Sequence, residues 1–413
     1  MSFLAQRFAV SRRLIERTDV RFQRFLMDRI DWRQRLVMVT GMRGVGKTTL
    51  LLQHLKLAHA DAPERALYVT ADDVHLGGVR LVDIAERFAL EHAGRTLVID
   101  EVHRYPLWAR ELKNIHDLLP DLRVIVTGSS QLDLEHGQHE LARRVLSVRL
   151  PHLSFREHLE LEFGVRVDPV ALDDLVDDHG SLTTLVVEAL RERDETILVR
   201  FNSYLERGAY PYALGAHTPD LHAQVMSALQ AVLYQDIPTT FGTAVNAAAT
   251  MQRLLALITT SEPYVPNIES MARALGIAKT TAYAYLEQLE RSSVLTFLPQ
   301  ARRGSAAVRK PAKIYLATPT LYAAVAGVKG LEVSAGAMRE AFFISQVRSE
   351  YPVTAHERAD MLVGHERPIV VEIGGRGKTA KQLPRDQRGV LALDGIEHGL
   401  GRTLPLWAFG FLY

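Results

Sequence analysis

The stretch Gly41-Met42-Arg43-Gly44-Val45-Gly46-Lys47-Thr48 matches the pattern G-x-x-x-x-G-K-[ST] at every fixed position, and no other feature constrains the chain as much. A plain glycine turn between strand and helix is the bland explanation, and context decides against it. Arg35 to Thr40 reads as a short buried strand, and the leucines of TTLLLQHLKLAHA that follow recur at helical spacing. Strand, glycine loop and helix thus come in the order that a phosphate cradle needs. Glycines let the backbone curl so that successive N–H groups point inward, and the next helix offers its positive dipole end to the same spot. Lys47 is expected to reach the β- and γ-phosphates of a nucleotide, and Thr48 to supply a ligand to Mg2+. The expected contacts are Gly41, Arg43, Gly44, Val45, Gly46, Lys47, Thr48 and Thr49.

A second element lies fifty residues on, in RTLVIDEVHRYP, where the strand Thr96 to Ile99 runs directly into Asp100 and Glu101. Acids at the C-terminal end of a parallel strand sit where ligands bind in open α/β sheets. Asp100 is expected to hold Mg2+, and Glu101 to orient or deprotonate the attacking water. A third strand, LRVIVTGSS, ends in hydroxyl residues. Ser129 is the first choice and Thr127 the second for touching a γ-phosphate, and the competing explanation is that these hydroxyls cap the next turn. Arg143 and Arg144 then precede a last strand, Val145 to Leu150. They are either ordinary surface cations or an arginine finger directed at a neighbouring subunit.

Taken together, the loop, VIDEVH, VIVTGSS and LARRVLSVRLPHLSFREHL resemble the prokaryotic AAA-type ATPases. The resemblance implies an α/β fold with a five-stranded parallel sheet, ATP rather than GTP, and a homo-oligomeric ring, a hexamer among the options. ARR stands where the family has AGR, and alignment places the finger at Arg144. His103 stands where the family has glutamine. YLERGAYPYAL is similar to a family element whose proline, here Pro211, packs near the adenine base, although a Gly-x-x-Pro turn needs no ligand.

At 413 residues the chain is long enough for two or three domains. It has no cysteine, which excludes disulfides, thiolate metal sites and a cysteine nucleophile and fits a reducing cytoplasm. No apolar run approaches the roughly 20 residues of a membrane span. Net charge is +1, but residues 1–50 hold eleven basic and four acidic side chains, whereas residues 151–200 hold five and twelve. Local basic surfaces are therefore expected despite the balanced total.

The second half is expected to hold three parts after a P-loop core at 1–150, which includes basic helices at 1–34. Residues 151–260 read as a helical lid and linker helices. Within 261–330, a helix Ile268 to Leu275 ends at Gly276 and another begins at Lys279, the rhythm of a helix-turn-helix. Two short strands then flank a loop carrying Arg302, Arg303, Arg309 and Lys310, which suggests a winged helix with a basic wing able to neutralise DNA phosphates, duplex or branched. Residues 331–413 resemble a small α/β restriction-nuclease-like region. That resemblance puts metal-binding acids at Glu340, Asp360 and Glu372, but Gly374 replaces the lysine expected two residues after Glu372, and the next lysine is Lys378. A degenerate site without cleavage is expected. Three functions remain in view: a DNA-associated ATPase that moves or remodels its substrate, an ATP-dependent switch or scaffold for a protein partner, and an ATP-controlled nuclease.

Overall fold

The computed structural model describes residues 3–76, 78–128, 141, 143–213, 215–300, 311–384 and 387–413. By contacts the chain divides into two compact units, Met1–Pro151 and His152–Tyr413. The segments expected at 151–260, 261–330 and 331–413 fall, from His152 onward, within the second.

In the first unit, helix α1 (Phe3–Arg17) precedes a β/α alternation: β1 (Leu36–Thr40), α2 (Lys47–Ala58), β2 (Ala66–Thr70), α3 (Leu81–Glu91), β3 (Thr96–Asp100), α4 (Trp108–Leu118), β4 (Arg123–Gly128) and β5 (Leu146–Arg149). The strands form one sheet in the order β2-β3-β4-β1-β5, and every pairing is parallel. The five-stranded parallel sheet implied by the resemblance is therefore present. β1 and β3 are buried along their whole length, as a sheet covered on both faces requires, which is why they read as unbroken apolar runs. β5, at the edge, alternates between half-buried and exposed. One face of the sheet packs Leu67, Ile99 and Val126 against Phe88 of α3 and Ile115 of α4. α1 closes the other edge, where the Tyr68 backbone N–H donates to Ser11 Oγ at 2.9 Å.

Four arginines of the basic N-terminal segment are engaged in ion pairs. Arg12 pairs with Glu16, Arg21 with Asp19, Arg33 with Asp31, and Arg7 with Asp73. The three pairs within residues 1–50 leave the net +7 of that segment unchanged, while Asp73 offsets Arg7 from outside it.

The second unit is helical at first: α5 (Phe155–Phe163), α6 (Leu172–Asp177), α7 (His179–Arg191), α8 (Ile197–Ser203), α9 (Thr218–Ala231), α10 (Ile237–Phe241) and α11 (Ala247–Thr259). α5 starts at a capping box, in which Ser154 and Glu157 satisfy each other's backbone N–H groups, and stops at Gly164 with φ 66°. Its Phe155 joins Phe201, Tyr204 and Phe411 in an aromatic core. Next come α12 (Ile268–Leu275), capped by Asn267 and ended by Gly276 at φ 68°, and α13 (Lys279–Arg291). An antiparallel pair, β6 (Leu295–Leu298) and β7 (Lys313–Leu316), follows, so the helix-turn-helix rhythm and both short strands lie where the residues indicate.

The chain ends with α14 (Pro319–Lys329), α15 (Ala335–Val347) and a mixed sheet of β8 (Val353–Ala355), β9 (Met361–Val363), β10 (Ile369–Gly374), β11 (Gly389–Leu393) and β12 (Thr403–Pro405) in the order β12-β11-β10-β9-β8. β10, β11 and β12 are mutually parallel, while β8 and β9 run antiparallel. Among the described residues no helix is long and apolar enough to cross a membrane.

Candidate phosphate-binding site

The loop after β1 turns on three glycines. Gly44 and Gly46 sit at φ 84° and 96°, a region open to glycine and costly for other residues. Gly41 is held by space as well, because a Cβ there would lie 2.5 Å from the Leu150 carbonyl oxygen. Gly46 caps α2, so Lys47 and Thr48 are the first helical residues and their N–H groups have no partner within the helix. Behind the loop the buried Arg24 guanidinium donates to the Val45 carbonyl at 2.5 Å and to that of Pro151 at 2.8 Å. Sequence reasoning did not single out Arg24, one of eleven basic residues in the first fifty.

Lys47 is buried and folds back on the loop, its Nζ donating to the Gly41 and Met42 carbonyls at 2.9 and 3.1 Å. Thr48 Oγ1 donates to Asp100 Oδ2 at 2.6 Å. The structure therefore unites the two residues assigned to the same ion, one from the start of α2 and one from the end of β3. Arg43 is half-buried, Thr49 is exposed and Val45 is buried.

Asp100 is held on all sides. Its Oδ2 also accepts from the Tyr68 hydroxyl at 2.7 Å, and its Oδ1 accepts from the Thr127 hydroxyl and, at 3.1 Å, from the Glu101 N–H. Tyr68 reaches it from the neighbouring strand β2. Burial, reinforced by the Asp100 charge, pushes the Tyr68 phenol well above its ordinary pKa, so it stays protonated and donates. Thr127 Oγ1 in turn accepts the Glu101 N–H at 2.8 Å, which makes it the bridge between the two acids. Glu101 has left-handed backbone, φ 52° and ψ 40°, a conformation costly for a non-glycine residue. Its carboxylate lies 3.4 Å from Nε2 of the buried His103.

The remaining expected residues have other surroundings of their own or lie outside the described residues. Ser129 is outside them, as are Arg302, Arg303, Arg309 and Lys310. Arg144 makes a bidentate pair with Asp117 at 2.9 and 3.1 Å, and Arg143 carries φ 70°. Pro211 opens a short 3-10 turn, Pro211–Ala213, in the second unit.

The C-terminal acids form a second cluster, within the second unit. Lys313 Nζ lies 2.8 Å from Glu340 Oε2 and 3.4 Å from Asp360 Oδ1. The Tyr315 hydroxyl also donates to Glu340, and the Ile373 N–H donates to Asp360 Oδ2 at 2.9 Å. Lys378 Nζ lies 2.6 Å from Glu372 Oε1. Its stem passes so close over Gly374 that a Cβ there would come within 2.6 Å of it. Lys378, the next lysine after Glu372, thus brings an ammonium group to the Glu372 carboxylate although position 374 is glycine. Burial raises the pKa values of Glu340 and Glu372. Burial disfavours the Lys313 charge, yet Glu340 and Asp360 outweigh it and hold its pKa above the ordinary lysine value.

Residues 33–159 match a family model described as an AAA domain, and residues 199–332 match one described as a domain of unknown function. The uncharacterized protein MJ1637 of Methanocaldococcus jannaschii is 26% identical over 388 residues, 88% of this chain and 80% of its own length. Among solved structures, a Walker-type ATPase of Pyrococcus abyssi aligns over 76% of this chain and 94% of its own at 12% identity, TM-score 0.38. AMPPCP-bound DnaA from Aquifex aeolicus aligns over 69% and 88% at 14% identity, TM-score 0.26.

Proposed function

We propose that this chain, whose residues 33–159 are an AAA-type P-loop ATPase domain, hydrolyses ATP with Mg2+ and couples turnover to the binding or remodelling of DNA. The observation that carries the ATPase half is the 2.6 Å contact between the Thr48 hydroxyl and the Asp100 carboxylate, with Glu101 next in the chain. In this reading the loop N–H groups and the α2 N-terminus surround the phosphates. Lys47 leaves the Gly41 and Met42 carbonyls for phosphate oxygens, while Arg43, Val45 and Thr49 complete the cradle. Thr48 and Asp100 hold Mg2+, which when bound offsets charge on the phosphates. Glu101 orients the attacking water and accepts its proton. Ser129 contacts the γ-phosphate, Pro211 packs near the adenine, and Arg144 exchanges Asp117 for the nucleotide of a neighbouring subunit in a homo-oligomeric ring.

The DNA half rests on the second unit. The succession α12, α13, β6, β7 suits a winged helix, and Arg302, Arg303, Arg309 and Lys310 fall between its two strands, where phosphate contacts are sequence-independent and sensitive to salt. One observation bears on the alternative, an ATP-dependent switch or scaffold holding a protein partner: Arg7, Arg12, Arg21 and Arg33 of the N-terminal segment are engaged in intramolecular ion pairs. The deciding experiment is ATP turnover against a panel of duplex, forked and single-stranded DNA at low salt. Stimulation by at least one DNA is expected, with Glu101→Gln binding ATP but not turning it over. Turnover indifferent to every DNA moves the function to the switch, and full hydrolysis by Glu101→Gln removes the role given to Glu101.

A further inference from the structure

The acids Glu340, Asp360 and Glu372 belong to three elements, α15, the segment before β9, and β10. A restriction-nuclease-like region implies that they share a divalent cation, and their surroundings test that implication. A hard cation needs carboxylate oxygens that converge and are free. Here one Asp360 oxygen takes Lys313 and the other takes the Ile373 N–H, while Glu340 Oε2 takes both Lys313 and Tyr315. Glu372 faces Lys378 instead. Among the described residues no three His, Cys, Asp or Glu side chains are grouped so as to hold a metal ion. The residues present do not fit the metal.

What stands between Glu340 and Asp360 is an ammonium group. Lys313 Nζ lies within ion-pair distance of both carboxylates, and its side chain is only 21% exposed. The lysine comes from β7, the strand that follows residues 301–310, whereas its partners belong to α15 and to the chain entering β9 of the C-terminal sheet. We propose that Lys313 is the resident cation of this site, a tethered replacement for a divalent ion that fastens β7 to α15 and to the chain entering β9. The unaltered site accordingly takes up no divalent cation and cleaves no phosphodiester by a metal-dependent route. The carboxylates keep the capacity to recruit a cation once the ammonium is removed, because a buried charge stripped of its partner is strongly disfavoured.

The test uses the full chain without nucleotide and Mn2+ as the probe, followed by calorimetry and by thermal unfolding. Only the part of the signal that Glu340→Gln removes is assigned to this site, so cation binding near Asp100 does not enter and the outcome is independent of the ATPase reading. The unaltered protein and Glu340→Gln are expected to respond identically to Mn2+. Lys313→Met is expected to melt several degrees lower without metal and to gain saturable Mn2+ binding, at least tenfold tighter than the unaltered chain shows. That gain should vanish in Lys313→Met with Glu340→Gln. Mn2+ binding by the unaltered chain that depends on Glu340 overturns the proposal, as does a folded Lys313→Met with no such gain. Should Lys313→Met fail to fold, Lys313→Arg, which keeps the charge, and the comparison of the unaltered chain with Glu340→Gln decide alone.

Discussion

Thr127 is the residue on which both acids of the ATPase site depend, and Thr127→Val isolates its hydroxyl. Valine keeps the β-branched shape on a fully buried strand position, so the packing of β4 is preserved and only the polar contacts are lost. Asp100 Oδ1 then forfeits the Thr127 hydroxyl but keeps the Glu101 N–H at 3.1 Å. The Glu101 N–H forfeits its 2.8 Å acceptor and keeps the longer one. A hydrogen bond to a charged group contributes about 1.5–3 kcal/mol. For a unit the size of Met1–Pro151, each kcal/mol shifts the melting temperature by about 2–4 °C, so a drop of about 3–12 °C is expected by circular dichroism. Single-turnover hydrolysis should fall by about 10- to 100-fold, because a misplacement near 1 Å costs on that order, while the affinity for a non-hydrolysable ATP analogue should change little. Thr127→Ser should restore both properties. A Val variant that melts and hydrolyses like the parent, or a Ser variant as impaired as Val, refutes the bridge.

Three further outcomes test other parts of the first unit. Lys47→Ala should abolish ATP binding, measured by equilibrium titration with a fluorescent analogue, since the ammonium is the one cationic side chain assigned to both phosphates. Arg144→Ala should lower turnover only at protein concentrations where mass photometry with ATP detects an oligomer, and an equal loss in a demonstrated monomer contradicts the finger. His54 stacks on Trp32 at 3.9 Å and is held neutral, burial first and then the His59 and Arg123 charges lowering its pKa from 6.5 to about 4. The unfolded chain therefore binds the proton more readily between these values, so the stability is complete above pH 6.5 and is lost as pH falls toward 4, by about 3 kcal/mol. His54→Phe keeps an aromatic ring on Trp32 and should flatten urea-unfolding midpoints across that window.

The parts of the site that were legible in the sequence are those whose chemistry depends on near neighbours in the chain. Gly44 and Gly46 announce positive φ, and Asp100 and Glu101 announce the end of a buried strand, because both signals are local. Tyr68 gives no such signal. In ALYVT it is one more strand residue, and its role arises from a register that pairs it with Val98, two residues short of Asp100 on the next strand. Arg24 reads as part of a basic segment until the fold brings it to Val45, twenty-one residues away. At the C-terminal cluster, spacing misled for the same reason: six residues separate Glu372 from Lys378 along the chain, but a turn returns the ammonium to 2.6 Å. Spacing along a strand predicts contact only where the strand continues, and β10 ends at Gly374.

The resting contacts of the first unit also bear on how nucleotide acts. Lys47 is engaged by the Gly41 and Met42 carbonyls and Thr48 by Asp100, so these three residues assigned to phosphate or Mg2+ already have partners. On the proposed reading, binding exchanges these contacts for new ones, and the net gain is smaller than the sum of the new contacts. A ligand that engages Lys47 alone recovers only part of that exchange, whereas a triphosphate with Mg2+ engages Lys47, Thr48 and Asp100 together. The same exchange reaches further. Asp100 shares Thr127 with the Glu101 backbone, so drawing Asp100 toward an ion changes the hold on the residue assigned to water. Ion-site occupancy and the posture of Glu101 are in this way linked through the buried Thr127 hydroxyl and through the direct contact of the Glu101 N–H with Asp100.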